Sequence, residues 1–212
     1  RRTDRLLSQN YILNHINSIK LFSKYLIESK GILFDASYRF CRGLNESRTW
    51  LVRKEIEGLY KACYPGVEGD LNRAILAVYY GLGLRRMEGI GLDFEDIQWN
   101  NGMVYVKHAK LKSERYVPMN QKVKQYLEDY ETRFRNPLLK KFGRVKESAL
   151  LISQKGKRIS GNAVYSRLQL LAKKANLPQP LSLHTLRHSI ATHLLENGLE
   201  MESISLFLGH KS

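Results

Sequence analysis

One stretch, residues 182–210 (SLHTLRHSIATHLLENGLEMESISLFLGH), constrains the fold more than any other part of this sequence. It predicts two helices. His184 and Arg187 lie three positions apart near the start of the first, so both side chains leave the same face. The second helix, residues 201–208, ends at Gly209 and His210. Cationic or nearly cationic side chains at helix ends suit a phosphate better than a carbonyl group or a metal ion.

The spacing of apolar residues predicts how the first of these helices is buried. Ile190, Ala191, Leu194 and Leu195 recur at helical spacing and are expected to face the core. Gly198 is expected to end the helix, because glycine adopts the positive φ that a C-terminal cap needs. The sequence therefore predicts an amphipathic helix that ends at Gly198, separate from the helix over residues 201–208.

Charge is the second constraint. The 212 residues include 35 Lys and Arg against 20 Asp and Glu, a net charge of +15, which favours a polyanion and most often nucleic acid. A merely basic soluble protein is a weaker alternative, because the basic residues accompany motifs that suit a phosphate. A membrane-surface protein is also weaker, because no basic amphipathic stretch stands apart from the globular pattern. The sequence is 43% hydrophobic, enough to bury a core, and its two cysteines without CxxC spacing indicate reduced thiols in a cytosolic protein.

Hydrophobic periodicity predicts mostly helices, with one small sheet. The sheet is expected within residues 94–120, where Asn100, Asn101 and Gly102 form a hairpin turn between alternating strands. A helix over residues 122–135 is expected to end at Asn136 and Pro137, with a basic loop over residues 140–146. The remaining helices are predicted over residues 11–29, 53–63, 71–81, from about residue 85, and over 160–175.

Four separate features follow one another in order: Arg85 after a Gly-Leu pair, Lys110 on the hairpin, His184 with Arg187, and the Gly-His pair that ends in His210. They lie in the segments GLRRMEGIGLDFEDI, KHAKLKSERYVPM and LSLHTLRHSIATHLLENG and in the final GHKS. This order and these segments resemble the catalytic domain of the tyrosine recombinase (phage integrase) family, including its Xer-like members. The resemblance covers residues 49–212.

The resemblance implies an α+β fold, mostly helical, with a small three-stranded antiparallel sheet. Residues 49–212 would form the catalytic domain without its C-terminal tail, and residues 34–48 a linker. Residues 1–33 would form the last part of a helical core-binding domain. Such a domain is normally longer than this stretch, so its beginning is expected to be missing.

The resemblance also implies a role for each matching residue. Arg85 and Arg187 would clamp the non-bridging oxygens of the scissile phosphate, since planar guanidinium groups suit that geometry. Lys110 would protonate the departing 5′-oxygen as general acid, and Glu88 would orient the surroundings of the first arginine. His184 and His210 would donate hydrogen bonds to the same phosphate, and Lys112 is the alternative general acid. The candidate DNA contacts are Arg86, Lys112, Arg115 and Arg167.

The implied chemistry is DNA strand cleavage that uses neither a cofactor nor a metal. A tyrosine attacks the phosphate and forms a 3′-phosphotyrosyl link, which keeps the bond energy for rejoining. No tyrosine follows His210, so the nucleophile is expected beyond Ser212, and the printed chain is expected to bind DNA without cleaving it. The implied partner is double-stranded DNA, held by a homotetramer in the bacterial cytoplasm at the nucleoid. A monomer is expected without DNA, and no membrane partner is implied.

Three alternatives stay open at this point. His184 and His188 have the four-residue spacing of zinc ligands, although Thr185 stands where a zinc protease would have glutamate. A non-catalytic DNA-binding or architectural protein on the same fold would have the same basic charge, but it would not need all five candidate catalytic residues. A type IB topoisomerase has a similar site, whereas the small size and the motif spacing favour site-specific recombination.

Overall fold

The computed structural model describes residues 9–34, 36, 50–107, 114–178 and 180–209. The chain divides into two compact units, residues 1–47 and residues 48–212. Most of the predicted linker, residues 34–48, lies outside the described residues. Across the ranges that are described, no helix is long and apolar enough to cross a membrane.

The described part of the first unit consists of one long helix, α1 (Gln9–Lys30), and a short segment without regular secondary structure after it. The prediction of a helix over residues 11–29 is confirmed, and Gly31 follows it with a φ of 63°. Two of its aromatic side chains, Phe22 and Tyr25, are 57% and 55% exposed. The apolar side of α1 is therefore largely open within the described residues.

The second unit packs helices and a small sheet around one hydrophobic core. The predicted fold class, a mostly helical α+β domain with a three-stranded antiparallel sheet, is confirmed. Its helices are α2 (Arg53–Lys61), α3 (Val67–Leu76), α4 (Arg86–Gly91), α5 (Gln121–Tyr130), α6 (Asn136–Lys141), α7 (Gly161–Lys174), α8 (Leu183–Glu196) and α9 (Met201–Leu208).

The sheet is the predicted antiparallel meander. Its strands are β1 (Ile97–Gln98), β2 (Met103–Val106) and β3 (Arg115–Pro118), in that order. Gly102, at φ 63°, lies in the turn before β2, where a side chain would disfavour the backbone. Val104 pairs with Val117, and both side chains are fully buried, so the alternation of the strands sets which face packs on the core.

Two predicted helices differ from the structure in how they continue. The helix predicted over residues 71–81 begins earlier, as α3, and changes at Ala77–Gly81 into a π turn, in which the Leu82 amide donates to the Ala77 carbonyl. A second π turn, Glu131–Arg135, follows α5 and leads directly into α6. Such turns widen a helix by one residue, which periodicity alone does not reveal.

The prediction that Pro137 ends its helix is wrong, and so is the start of the basic loop at residue 140. Pro137 lies in the first turn of α6, and Lys140 and Lys141 belong to its last turn. Proline interrupts a helix because it lacks an N–H group and its ring meets the carbonyl of the preceding turn. The π turn just before Pro137 changes the bonding pattern of that preceding turn, so the helical path continues with the proline at a tolerated position.

The predicted buried face of α8 is also wrong. Leu195 is 48% exposed, and the other three predicted core residues are half-buried. The face that packs inward carries polar groups as well as leucines, which a hydrophobicity pattern does not select. Its buried residues are Leu183, Leu186, Arg187, Ser189 and His193.

Two glycines of α4 provide a matched test of this packing. A Cβ atom at Gly89 would lie 2.7 Å from the ring of Tyr79, a fully buried side chain whose hydroxyl donates to the Arg86 carbonyl. We expect Gly89→Ala to lower the free energy of unfolding by about 1–3 kcal/mol, because an overpacked core must shift. The measurement is urea unfolding followed by circular dichroism.

The control is Gly91→Ala at the end of the same helix, where a Cβ would meet nothing within 4 Å. We expect it to be neutral or to stabilise by up to about 1 kcal/mol, since alanine is the better helix former. Equal losses in both variants would contradict the packing described for Tyr79.

Candidate active site

Arg85 and Glu88 form the first part of the site, at the beginning of α4. Arg85 is the extended residue before the helix, and Glu88 reaches back to accept its backbone N–H at 2.9 Å, as a helix-capping glutamate does. The Arg85 side chain donates from Nη1 to Glu88 Oε1 at 2.8 Å and from Nη2 to the carbonyl of Gly209 at 2.8 Å. The three-residue spacing read from the sequence therefore fixes the arginine beside its carboxylate.

Arg187 adds a second guanidinium from the buried face of α8. Its side chain is 4% exposed, and Nη1 lies 3.8 Å from Glu88 Oε2. Two backbone carbonyls accept from it, Gly83 from Nη1 and Leu208 from Nη2, each at 2.6 Å. Gly83 has a φ of 60°, so the turn that presents this carbonyl favours glycine.

Arg115, from β3, contributes a third guanidinium. It donates to both oxygens of Glu88, from Nη1 to Oε1 at 3.2 Å and from Nη2 to Oε2 at 3.0 Å. Its Nε donates to the carbonyl of Phe207 at 3.1 Å. The sequence predicts Arg115 as a DNA contact and misses this ion pair. One pattern points to it, because Arg115 shares the inward face of β3 with the buried Val117.

The arginines keep Glu88 ionised, and Glu88 in turn favours the charged form of Arg187. Burial alone would raise the pKa of Glu88, but hydrogen bonds from Arg115 and Arg85 outweigh it and lower the pKa to about 2. Burial lowers the pKa of Arg187 to about 10, with a further decrease from Arg85 and an opposing increase from Glu88. Glu88 and Arg187 are therefore charged at neutral pH. The three arginines with one glutamate present a net positive charge to any anion that binds beside them.

His184 lies on the exposed side of α8, one turn before Arg187. Its ring contacts that of His188 edge to face, with centroids 4.3 Å apart. Desolvation lowers the pKa of His184 below its ordinary value, and the charges of His188, Arg187 and Arg85 lower it further. At neutral pH the imidazole is therefore neutral, and it offers one donor and one acceptor nitrogen.

The structure brings together Arg85, Glu88, Arg187 and Arg115, but it keeps two of the other predicted residues apart from them. Arg86 is exposed and donates to Asn162 at 2.9 Å. Arg167 donates to Asn72 at 3.1 Å. Lys110, Lys112 and His210 lie outside the described residues, so their roles stay predictions.

A metal centre has no support among the described side chains. Nowhere in the described ranges do three or more His, Cys, Asp or Glu residues gather closely enough to hold a metal ion. His184 and His188 contact each other through their rings. What the cluster of guanidiniums can do chemically is bind an anion that presents two oxygens to their planar N–H donors, such as a phosphodiester.

Comparison with known proteins agrees with this chemistry. The model of the phage integrase family matches residues 49–212. Tyrosine recombinase XerD of Oceanobacillus iheyensis is 33% identical over 201 residues, which cover 94% of this chain and 67% of that protein. Among solved structures, the XerA recombinase has a TM-score of 0.68 at 23% identity, covering 97% of this chain and 68% of its own. The Tn1549 transposon integrase, in complex with circular intermediate DNA, has a TM-score of 0.76 at 22% identity, and the match covers 97% of this chain and 73% of that one. These last two likenesses concern the fold.

The low pKa of Glu88 makes a prediction about stability and pH. A carboxylate whose pKa falls from its ordinary 4.5 to about 2 on folding stabilises the protein above pH 4.5, and this stabilisation is lost as the pH falls towards 2. We expect the free energy of unfolding of the wild type to gain roughly 3 kcal/mol relative to that of Glu88→Gln as the pH rises from about 2 to 4.5. Urea unfolding at several pH values measures it.

The matched control is Glu57→Gln, at an exposed position of α2. We expect this variant to follow the wild-type pH dependence, with stability changed by less than about 0.5 kcal/mol. A Glu88→Gln variant that tracks the wild type at every pH would show that the carboxylate is not held by the arginines.

Proposed function

Because the chain belongs to the phage integrase family, we propose that it is the catalytic portion of a tyrosine-type, site-specific DNA recombinase. The observation that carries this proposal is the pair of guanidiniums, Arg85 and Arg187, that share one carboxylate, Glu88. They come from elements about a hundred residues apart in sequence. A protein that only binds DNA does not need such a buried arrangement, whose charges are costly to remove from water.

In the proposed reaction, Arg85 and Arg187 bind the two non-bridging oxygens of the scissile phosphate. Negative charge grows on these oxygens as the phosphorus becomes five-coordinate, and fixed guanidiniums stabilise that charge without reorganising. Glu88 holds the guanidiniums in place and stays ionised throughout. His184, neutral at neutral pH, donates a hydrogen bond to the same phosphate, and His210 is the second such donor.

The proposed covalent step exchanges one phosphoester bond for another. A tyrosine hydroxyl loses its proton to water as its oxygen forms a bond to the phosphorus, and the bond from phosphorus to the 5′-oxygen breaks. Lys110 gives a proton to the departing 5′-oxygen, with Lys112 as the alternative donor. Rejoining runs the same steps in reverse with the 5′-hydroxyl of another strand.

The proposed partner is double-stranded DNA, bound by four protomers that bring two sites together at the bacterial nucleoid. The net charge of +15 supports a polyanionic partner, and the affinity should fall steeply as salt rises, because bound phosphates release counterions. Arg86 and Arg167 are proposed as phosphate contacts outside the cleavage site. We propose residues 49–212 as the catalytic domain, residues 34–48 as a linker and residues 1–33 as the end of a core-binding domain.

The experiment uses the protein translated from the complete reading frame and duplex fragments selected from genomic DNA by their affinity for it. A nicked fragment that loses its short 5′-ended strand after cleavage should trap a protein–DNA adduct that survives detergent. We expect Arg85→Lys to slow adduct formation by about 100-fold or more, because a lysine cannot reproduce the planar donors. Gel electrophoresis over time measures the rate.

The control is Arg133→Lys, a similar change at an arginine that is 60% exposed and pairs with Asp129. It should react at the wild-type rate. Specific binding without any adduct in the wild type would contradict the proposal and favour the architectural DNA-binding alternative.

A further inference from the structure

We infer that Arg115 is a positioning residue of the proposed phosphate site: it fixes Glu88 and the end of α9, and through them the two phosphate-binding arginines. The inference rests on the proposed function. It differs from the prediction that Arg115 contacts DNA. The Arg115 side chain is 9% exposed and that of Glu88 is 4% exposed, so the guanidinium has little surface left for a DNA phosphate.

The contact between Arg115 and Glu88 has the geometry of a two-pronged ion pair. Two guanidinium nitrogens meet the two carboxylate oxygens at 3.2 and 3.0 Å. This arrangement fixes the orientation of the carboxylate as well as its position, which a single contact does not. Arg85 and Arg187 contact the same two oxygens, so the orientation of Glu88 sets where both of them lie.

Arg115 also limits how much charge Glu88 takes from the phosphate-binding arginines. A carboxylate shared among three guanidiniums is held by all of them, and none of them is fully neutralised. Without Arg115, the negative charge of Glu88 would be balanced by Arg85 and Arg187 alone. These two arginines would then attract a phosphate more weakly. The effect of removing Arg115 on the phosphate should therefore pass through Glu88.

The third contact of Arg115 reaches the other side of the site. Its Nε donates to the Phe207 carbonyl in the last turn of α9, where helical carbonyls lack partners within the helix. Its guanidinium also packs against Gly209, where a Cβ atom would lie 2.7 Å from Nη1. Gly209 immediately precedes His210 in sequence. Arg115 therefore joins the carboxylate of α4 to the backbone from which the second proposed histidine continues.

The experiment compares Arg115→Lys with the wild type in the adduct assay, at DNA concentrations that saturate the protein. Lysine keeps the charge and loses both the two-pronged pair and the Nε donor. We expect the cleavage rate to fall about 10-fold or more, with the dissociation constant for DNA changed by less than about threefold. A DNA contact would give the opposite result, a weaker affinity with an unchanged rate, and would overturn the inference.

The matched control is Arg135→Lys. Arg135 is another buried arginine, which donates to the carbonyls of Ala149 and Glu147 at 3.0 and 2.7 Å. Both variants are assayed at a temperature at which circular dichroism shows them folded. If Arg135→Lys slows cleavage as much as Arg115→Lys does, the role of Arg115 is general to folding and the inference is wrong.

A double-mutant cycle tests whether Arg115 acts through Glu88. We expect Arg115→Gln to slow cleavage by a smaller factor in the Glu88→Gln background than in the wild type, since one of its two targets is already gone and only the contact with the Phe207 carbonyl remains to be lost. Multiplied losses would show that the two residues act independently.

A crystal structure of the Arg115→Lys variant of the printed chain tests the positioning without any reaction. We expect Glu88 to turn towards Arg85 and the end of α9 to shift. An unchanged Glu88 would overturn the inference even if the wild type cleaves DNA. If the wild type forms no adduct and Glu88 does move, the proposed function fails while the positioning by Arg115 stands.

Discussion

The Glu88 carboxylate is the interaction on which the second unit's polar centre depends. Three guanidiniums from three separate elements converge on it, and it is almost fully buried. Removing charged groups from water costs several kcal/mol per ion unless good hydrogen bonds offset the loss. The hydrogen bonds and ion pairs that offset this cost form only when α4, β3 and α8 are all in place. The ion pairs therefore depend on the packing of the hydrophobic core, and they favour that packing in return.

The same arginines organise the end of α9. The carbonyls of Phe207, Leu208 and Gly209 accept from Arg115, Arg187 and Arg85 in turn. The last carbonyls of a helix carry partial negative charge, and cations near them are stabilising. Each arginine therefore contacts both the Glu88 carboxylate and a carbonyl at the end of α9, and Arg187 donates to the Gly83 carbonyl as well. This restricts each side chain far more than a surface ion pair would.

The sequence was sufficient where neighbouring residues decide the structure. Strand alternation and the Asn-Asn-Gly turn predicted the sheet, and the family resemblance implied that Glu88 lies beside Arg85. It was insufficient where distant contacts decide. Pro137 continues a helix because of a π turn before it. The polar residues on the inward face of α8 have hydrogen-bond partners elsewhere in the chain: Arg187 donates to the Gly83 carbonyl, Ser189 accepts from the Leu51 N–H, and His193 bonds to the Tyr80 hydroxyl. Hydrophobicity cannot identify a buried arginine whose partners are backbone carbonyls.

The two π turns have a consequence for how this chain compares with others. Each contains one residue more than an α-helical turn of the same kind, and each lies between α-helical residues or directly after them, at Ala77–Gly81 and Glu131–Arg135. A homologue with regular helices at these places would keep the same core with one residue fewer in each. Structure-based alignments should therefore open single-residue gaps inside the helices at these two places. A sequence alignment that allows gaps only in loops would instead misalign by one position the residues that follow each π turn.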